Sequence, residues 1–415
     1  MKEMQHREEI YIIGAGISGL IAAYELESKG FRPIIIEQTS GVGGRVKTLP
    51  KNGYDLDLGF QVLLSAYPLA NKYLNMEKLQ LDKLSSGALV YANGSTYKIG
   101  DPLRDWKMLF PTLRAAVGSI GDKLKIFQLN QKLKYKSLED IFKSPEKSTL
   151  EYLVAFGFSS RIIDRFFKPF FAGIFLEPDL KTSSRMFEFV YKMFGEGYAT
   201  IPSRGIGAIS EQLKSKLKYT EFSFNSEVEA VTKDHIALCS GEKITHNGVI
   251  VTSNIASLIP SFKKPKMTWK RCECYYFEVD QTNIPNKTIA LMAETGKYTN
   301  NLYAYKDANS GKNILSVTTL VKHKIPEKEM IGAITAEIKQ YTGATEVHYI
   351  HHYNIEQALP DIQNLKLTIP HHETEVLENV FIAGDYLLNA SLNAAMESGR
   401  LAAHAIIEKN KETHL

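Results

Sequence analysis

Residues 10–37 read IYIIGAGISGLIAAYELESKGFRPIIIE, and they decide the fold. Ile10–Ile13 is a short apolar run rich in β-branched residues, as expected of a parallel strand buried on both faces. Gly14, Gly16 and Gly19 follow at the spacing G-x-G-x-x-G. Leu20, Ala23 and Leu26 then recur at helical spacing, which predicts a helix to Lys29 with Gly30 at its C-terminal stop. Ile34–Ile36 predicts a second buried strand, and Glu37 ends it. Strand, glycine turn, helix, strand is the first βαβ unit of a Rossmann-type domain; the other reading of the glycines is a turn in an unrelated α/β fold. In the dinucleotide reading Gly14 permits the tight turn, Gly16 lets the backbone approach a pyrophosphate, and Gly19 lets helix and strand pack closely. Ala15 and Ser18 complete the turn, and Gln38 follows the acid. A carboxylate at Glu37 accepts hydrogen bonds from a ribose and repels a 2′-phosphate, which disfavours NADP.

Outward from this unit the composition is that of an ordinary globular chain. The 415 residues are 44% hydrophobic and 23% charged, which excludes a disordered or low-complexity protein. A net charge of +4 is too balanced for a dedicated nucleic-acid binder, so none is expected as a partner. Three cysteines exclude a disulfide scaffold, and Cys272 and Cys274 read as buried thiols on one face of a strand. The adjacent pairs His351-His352 and His371-His372 cannot converge on one metal from a helix or a strand. The uncharged run from Ile10 to Tyr24 is 15 residues, short of the ~18–20 that span a membrane, and a cytoplasmic protein is expected.

Further along, residues 100–200 read as mostly helical and 222–252 as strands ending in Val249–Val251. Residues 268–320 alternate as strands do, Met330–Tyr341 reads as a helix, Val380–Ala383 as a buried strand and Asn393–Glu408 as a closing helix. Dinucleotide-type signals at both ends and in the middle predict a discontinuous nucleotide domain with two insertions.

The residues after Glu37 separate NAD from FAD. Gly41-Val-Gly43-Gly44-Arg45 is a second glycine turn carrying an arginine, and Asp57-Leu-Gly59-Phe60 follows. An NAD-only domain has no evident need for such a turn. With GAGISG at 14–19, DLGF at 57–60 and FIAGDYLLNASLNAAMESGRLAA at 381–403, the chain resembles the flavin-containing amine oxidase superfamily, which also holds phytoene desaturases and protoporphyrinogen oxidases. The resemblance implies an α/β fold: a discontinuous Rossmann-type FAD-binding domain over 1–85, 203–260 and 372–415, with an inserted α+β substrate domain over 86–202 and 261–371. It implies FAD as cofactor, with Gly44, Arg45, Gly59 and Phe60 near it. It places the backbone of Val228 against adenine, Thr252 near the dinucleotide, Gly384 and Asp385 at pyrophosphate and ribityl, and Leu392 and Asn393 at a helix N-terminus facing the flavin pyrimidine edge. A helix N-terminus there stabilises the negative charge of a reduced flavin.

The substrate side is less explicit. Amine oxidases of this superfamily set an aromatic cage residue before the closing helix, and the alignment puts Ser391 there instead. They often place a lysine near the flavin N5; the local match falls around Lys270-Arg271 and is too loose to carry over. Residues 161–204 are rich in Phe, and read either as helical core or as the wall of a large apolar pocket. The expected activity is hydride removal, by dehydrogenation or isomerisation, from a lipophilic small molecule such as a polyene, terpenoid or tetrapyrrole. Amine oxidation and a flavin-binding scaffold without turnover are the alternatives. Residues 104–143 hold nine Lys/Arg against four acids, with Leu109, Phe110, Ile120, Leu124 and Phe127 interleaved. This reads as a basic amphipathic element for a membrane surface, or as a solvated helix face.

Overall fold

The computed structural model describes residues 8–85, 87–100, 118–253, 255–262, 267–320 and 325–413. The opening unit forms as its pattern demands. Strand β1 is Glu9–Ile13, helix α1 is Ile17–Glu27 and strand β2 is Arg32–Ile36. β1 and β2 pair in parallel, with Ile12 opposite Ile35, and both residues are fully buried. The helix starts earlier than the periodicity predicts, at Ile17, because Gly16 is its N-cap. A Cβ on Gly19 would sit 2.1 Å from the Gly14 carbonyl oxygen, so only glycine lets α1 lie this close to the turn.

These strands belong to a six-stranded sheet ordered Glu221–Ser223, β2, β1, Val249–Val251, Val380–Ile382, Glu375–Leu377. The first five are parallel and the last is antiparallel. A seven-stranded sheet takes five strands from residues 269–360 and two from residues 87–100. Its order is Val347–Pro360, Trp269–Val279, Asn313–Thr319, Asn301–Lys306, Thr288–Met292, Gly87–Ala92, Ser95–Gly100. The alternation read from the sequence splits its faces: Cys274 and Tyr276 pack with Leu56, whereas Tyr275 and Phe277 pack with Met330 and Ile334.

Between the sheets' contributions along the chain lie the helices of the segment expected to be helical. α2 is Ile120–Tyr135, α3 is Lys168–Phe175 and α4 is Ser184–Glu196. Residues 104–117 of the basic stretch lie outside the described residues, including Leu109 and Phe110. α2 buries Leu129 and Leu133, and the Lys192 ammonium on α4 donates to the Leu133 carbonyl at 2.8 Å. The aromatic residues interlock: the Phe187 ring lies 4.7 Å from Phe171, 5.5 Å from Tyr152 and 6.0 Å from Phe167. Strand β3, Trp269–Val279, opens the seven-stranded sheet in sequence after 260, and helix α5, Leu392–Thr413, closes the chain.

Phe187 is fully buried at the centre of this aromatic cluster. Phe187→Ala should cost about 3–5 kcal/mol through lost burial and the cavity left behind. Urea unfolding checks it; a loss below ~1 kcal/mol would mean that the cluster repacks.

Candidate functional site

A cavity of about 590 Å³ opens at the carboxyl ends of the parallel strands. Gly14 after β1, Glu37 after β2, Thr252 after Val251 and Gly384 after Ile382 all border it. Loops at these strand ends are where an open α/β sheet leaves a crevice. The Glu37 carboxylate is buried and held from two sides: it accepts from the Ala15 amide at 2.9 Å and from the Thr39 amide at 2.9 Å and hydroxyl at 2.7 Å. Gly14 has φ +103°, and a Cβ there would lie 2.6 Å from the Thr252 hydroxyl oxygen. Gly16 differs. A Cβ on it would meet nothing within 4 Å, so the space over it is open to the cavity.

The second glycine turn reaches the distal motif directly. The Arg45 guanidinium donates to both carboxylate oxygens of Asp385, at 2.6 and 3.0 Å, and to the Ala358 carbonyl at 3.2 Å. It also lies 5.3 Å from the Trp269 ring centroid. Burial alone would lower the Arg45 guanidinium, but Asp385 outweighs it and the net shift is upward. The pair is a charge-assisted fork that stiffens both motifs. Gly59 brings Phe60 to the cavity wall, where its ring packs 5.0 Å from Tyr303.

Ser18, Gln38, Gly44 and Leu392 also border the cavity. Four positions named from the sequence do not. Ala15 spends its amide on Glu37, and Gly19 lies against the Gly14 carbonyl. Val228 is buried in a small sheet opposite Leu238. The Asn393 side chain accepts from the Leu69 amide at 3.0 Å. Ser391 is buried and caps α5: its hydroxyl accepts from the Ala394 amide at 3.0 Å and donates to Asn389 at 2.6 Å.

Away from the dinucleotide half the cavity is mainly apolar, with Asn301 and Thr318 among its polar members. Phe170, Ile174 and Phe175 of α3 and Met186, Val190 and Phe194 of α4 form its wall. The Phe-rich segment therefore fills both roles, since Phe167 and Phe171 are buried in the core behind. The carboxylates that border the cavity, Glu37 and Asp385, both belong to the dinucleotide half. Lys270 and Thr182 are polar wall residues that sequence reasoning did not assign. The ladder slips beside Lys270, which faces Leu359 while Cys272 faces Ile355, and simple alternation cannot reveal that.

An FAD fits the donor set: open space over Gly16, a fixed carboxylate at Glu37 and the α1 N-terminus toward the pyrophosphate. Gly16→Ala should leave the fold intact, because Gly16 has an ordinary φ of −74°, yet strip FAD by filling that space. Gly14→Ala should instead damage the fold through its positive φ. Glu37→Ala should weaken FAD roughly tenfold or more. Flavin content and melting temperature separate these outcomes; full flavin occupancy in Gly16→Ala would refute the placement.

Comparison with known proteins agrees with this geometry. An L-amino-acid oxidase of Echis ocellatus is 24% identical over 292 residues, 64% of this chain and 56% of that protein. Protoporphyrinogen oxidase 2, chloroplastic/mitochondrial, of Arabidopsis thaliana is 24% identical over 301 residues, 69% of this chain and 57% of that protein. The chain thus spans less than two thirds of these relatives' length. The crystal structure of an oxidoreductase from Methanosarcina mazei superposes with a TM-score of 0.73 at 15% identity, covering 96% of this chain and all of that one, a likeness of fold. The family described as flavin containing amine oxidoreductase matches residues 17–407, and with FAD as its cofactor the chain belongs to that family.

Proposed function

We propose that the chain is an FAD-dependent oxidoreductase that removes a hydride from an apolar substrate such as a polyene, terpenoid or tetrapyrrole, by dehydrogenation or isomerisation. The observation that carries this is the wall of α3 and α4: six apolar side chains, and no carboxylate among the described residues of that half. Bound FAD supplies the hydride acceptor. The chain's own residues supply a dry, shaped site and orientation, which is what such a transfer needs. Burying apolar substrate area against this wall contributes ~25 cal/mol per Å².

Amine oxidation is the competing reading. An ammonium substrate would meet Lys270 rather than a carboxylate in this half, and Ser391 stands where an aromatic wall would be. The missing cation–π contact is worth about 0.5–2 kcal/mol. Anaerobic flavin bleaching over a panel of lipophiles and amines decides the matter. Reduction by a lipophile with little by primary amines or polyamines is expected. Bleaching by an amine alone would reverse the ranking, and bleaching by neither would favour a scaffold.

The substrate reading also motivates a membrane contact through α2. Ile120, Leu124, Phe127 and Tyr135 lie on one face of this helix, opposite Leu129 and Leu133, and are 85%, 60%, 48% and 80% exposed. Not all of its lysines serve the outer face: Lys125 donates to the Gly157 carbonyl, and Lys132 reaches the Tyr152 hydroxyl and Glu188. Insertion of the apolar stripe therefore contributes more than charge. Leu124→Glu with Phe127→Glu should abolish flotation with anionic vesicles, while added salt weakens it only in part. No flotation of the unmodified protein at low salt would leave the stripe as a bare surface.

A further inference from the structure

Lys270 is the one lysine that reaches the apolar half of the cavity among the described residues. Its neighbour Arg271 turns outward to pair with Glu356 at 3.1 Å. The Lys270 side chain is only 16% exposed, and its ammonium donates to the Thr182 hydroxyl oxygen at 2.9 Å. It forms an ion pair with Asp361 at 3.6 Å, and the Asp361 side chain is 54% exposed. Thr182 accepts from Lys270, so its own hydroxyl proton remains to be given, and no acceptor takes it among the described residues. Two donors thus stand side by side on a wall whose other members are mostly hydrocarbon. Lys270 is thus a part-buried cation whose one carboxylate partner among the described residues sits on a half-exposed side chain, which a second carboxylate can replace.

We propose that Lys270 and Thr182 form a carboxylate-recognition site, so that the substrate is an amphiphilic acid: a hydrocarbon body with one carboxylate. The proposal rests on the apolar-substrate reading above and names the head group that reading leaves open. The placement sets the orientation. Thr182 lies in the connection between α3 and α4, so a body attached to a head group there runs along Phe175, Met186 and Val190. Asp361 reaches solvent beside Lys270, so the carboxylate end faces outward and the body faces inward. Asp361 also acts as the stand-in counter-charge that an arriving carboxylate displaces. A charge-assisted pair with a second donor is directional and discriminates against the same body lacking a charge.

The test titrates the FAD-loaded protein with cis-parinaric acid, a fluorescent polyene acid, and with its methyl ester. The acid should bind about tenfold or more tightly than the ester. Lys270→Met should erase that preference while the ester's affinity stays within about twofold, and Lys270→Arg should keep it. Thr182→Val should reduce the preference in part, and it serves as the readout should Lys270→Met fail to fold. Equal binding of acid and ester, or a preference that survives in Lys270→Met, overturns the head-group assignment and leaves the apolar reading standing. Binding of neither probe overturns both.

Discussion

The structure depends on how closely α1 and α5 approach. A Cβ on Gly399 would lie 2.2 Å from the Ser18 carbonyl oxygen, so the two helices touch backbone to backbone. The Ser18 hydroxyl donates to the Ala395 carbonyl at 2.8 Å, across 377 residues of sequence. Ser398, one residue before the glycine, accepts from the Gly384 amide at 2.9 Å. The first glycine turn, the end of the fifth parallel strand and the closing helix are thereby referenced to one another. Between residues 38 and 379 the chain leaves this sheet, returns to it for Glu221–Ser223 and Val249–Val251, and builds the second sheet and the helices in between. The contact of α1 with α5 is why a discontinuous chain still yields one continuous crevice.

Charge is then distributed around the crevice by pairing. Asp385 would be an uncompensated buried carboxylate without Arg45, and Arg45 would be a loose cation without Asp385. Among the described residues Asp57 is held by hydrogen bonds alone. Burial pushes its carboxyl up to about 6, against the opposing hydrogen bonds from Thr48 and Ile206. A folded-state value above the ordinary one means that its contribution to stability is present below pH ~4 and is lost as pH rises through about 6. The carboxylate nonetheless fixes the turn before Ala208, which sits against the second glycine turn through Ser210 and Val46.

What was legible in the sequence was local or repeated at a fixed spacing. The strand, glycines, helix and Glu37 specify their own geometry, and so do the glycine turn to Arg45 and the alternation in β3. What stayed hidden depends on contacts far away in sequence. Nothing local says that the Asn393 side chain will accept from the Leu69 amide. Lys125 and Lys132 read as outward charges until the Gly157 carbonyl and Glu188 are placed beside them. Lys270 was obscured by a ladder slip that belongs to the partner strand, and Thr182 carries no pattern at all. The Phe-rich segment was legible as apolar but not as two-sided, because a helix buried all round has no polar face to orient it.

That two-sidedness has a mechanical consequence. Phe170 and Phe175 face the cavity from the same helix that sends Phe171 into the core, where its ring meets Phe187 at 4.7 Å. Phe194 on α4 closes on Phe170 at 5.5 Å. The wall is thus the outer layer of a packed aromatic core rather than a loop that closes over a guest. Core packing at this density tolerates few rotamer changes. The cavity's shape is set before a substrate arrives, and little ordering entropy is spent on forming it. Selectivity among apolar bodies must then come from fit to a rigid surface, and orientation from the few polar groups that interrupt it.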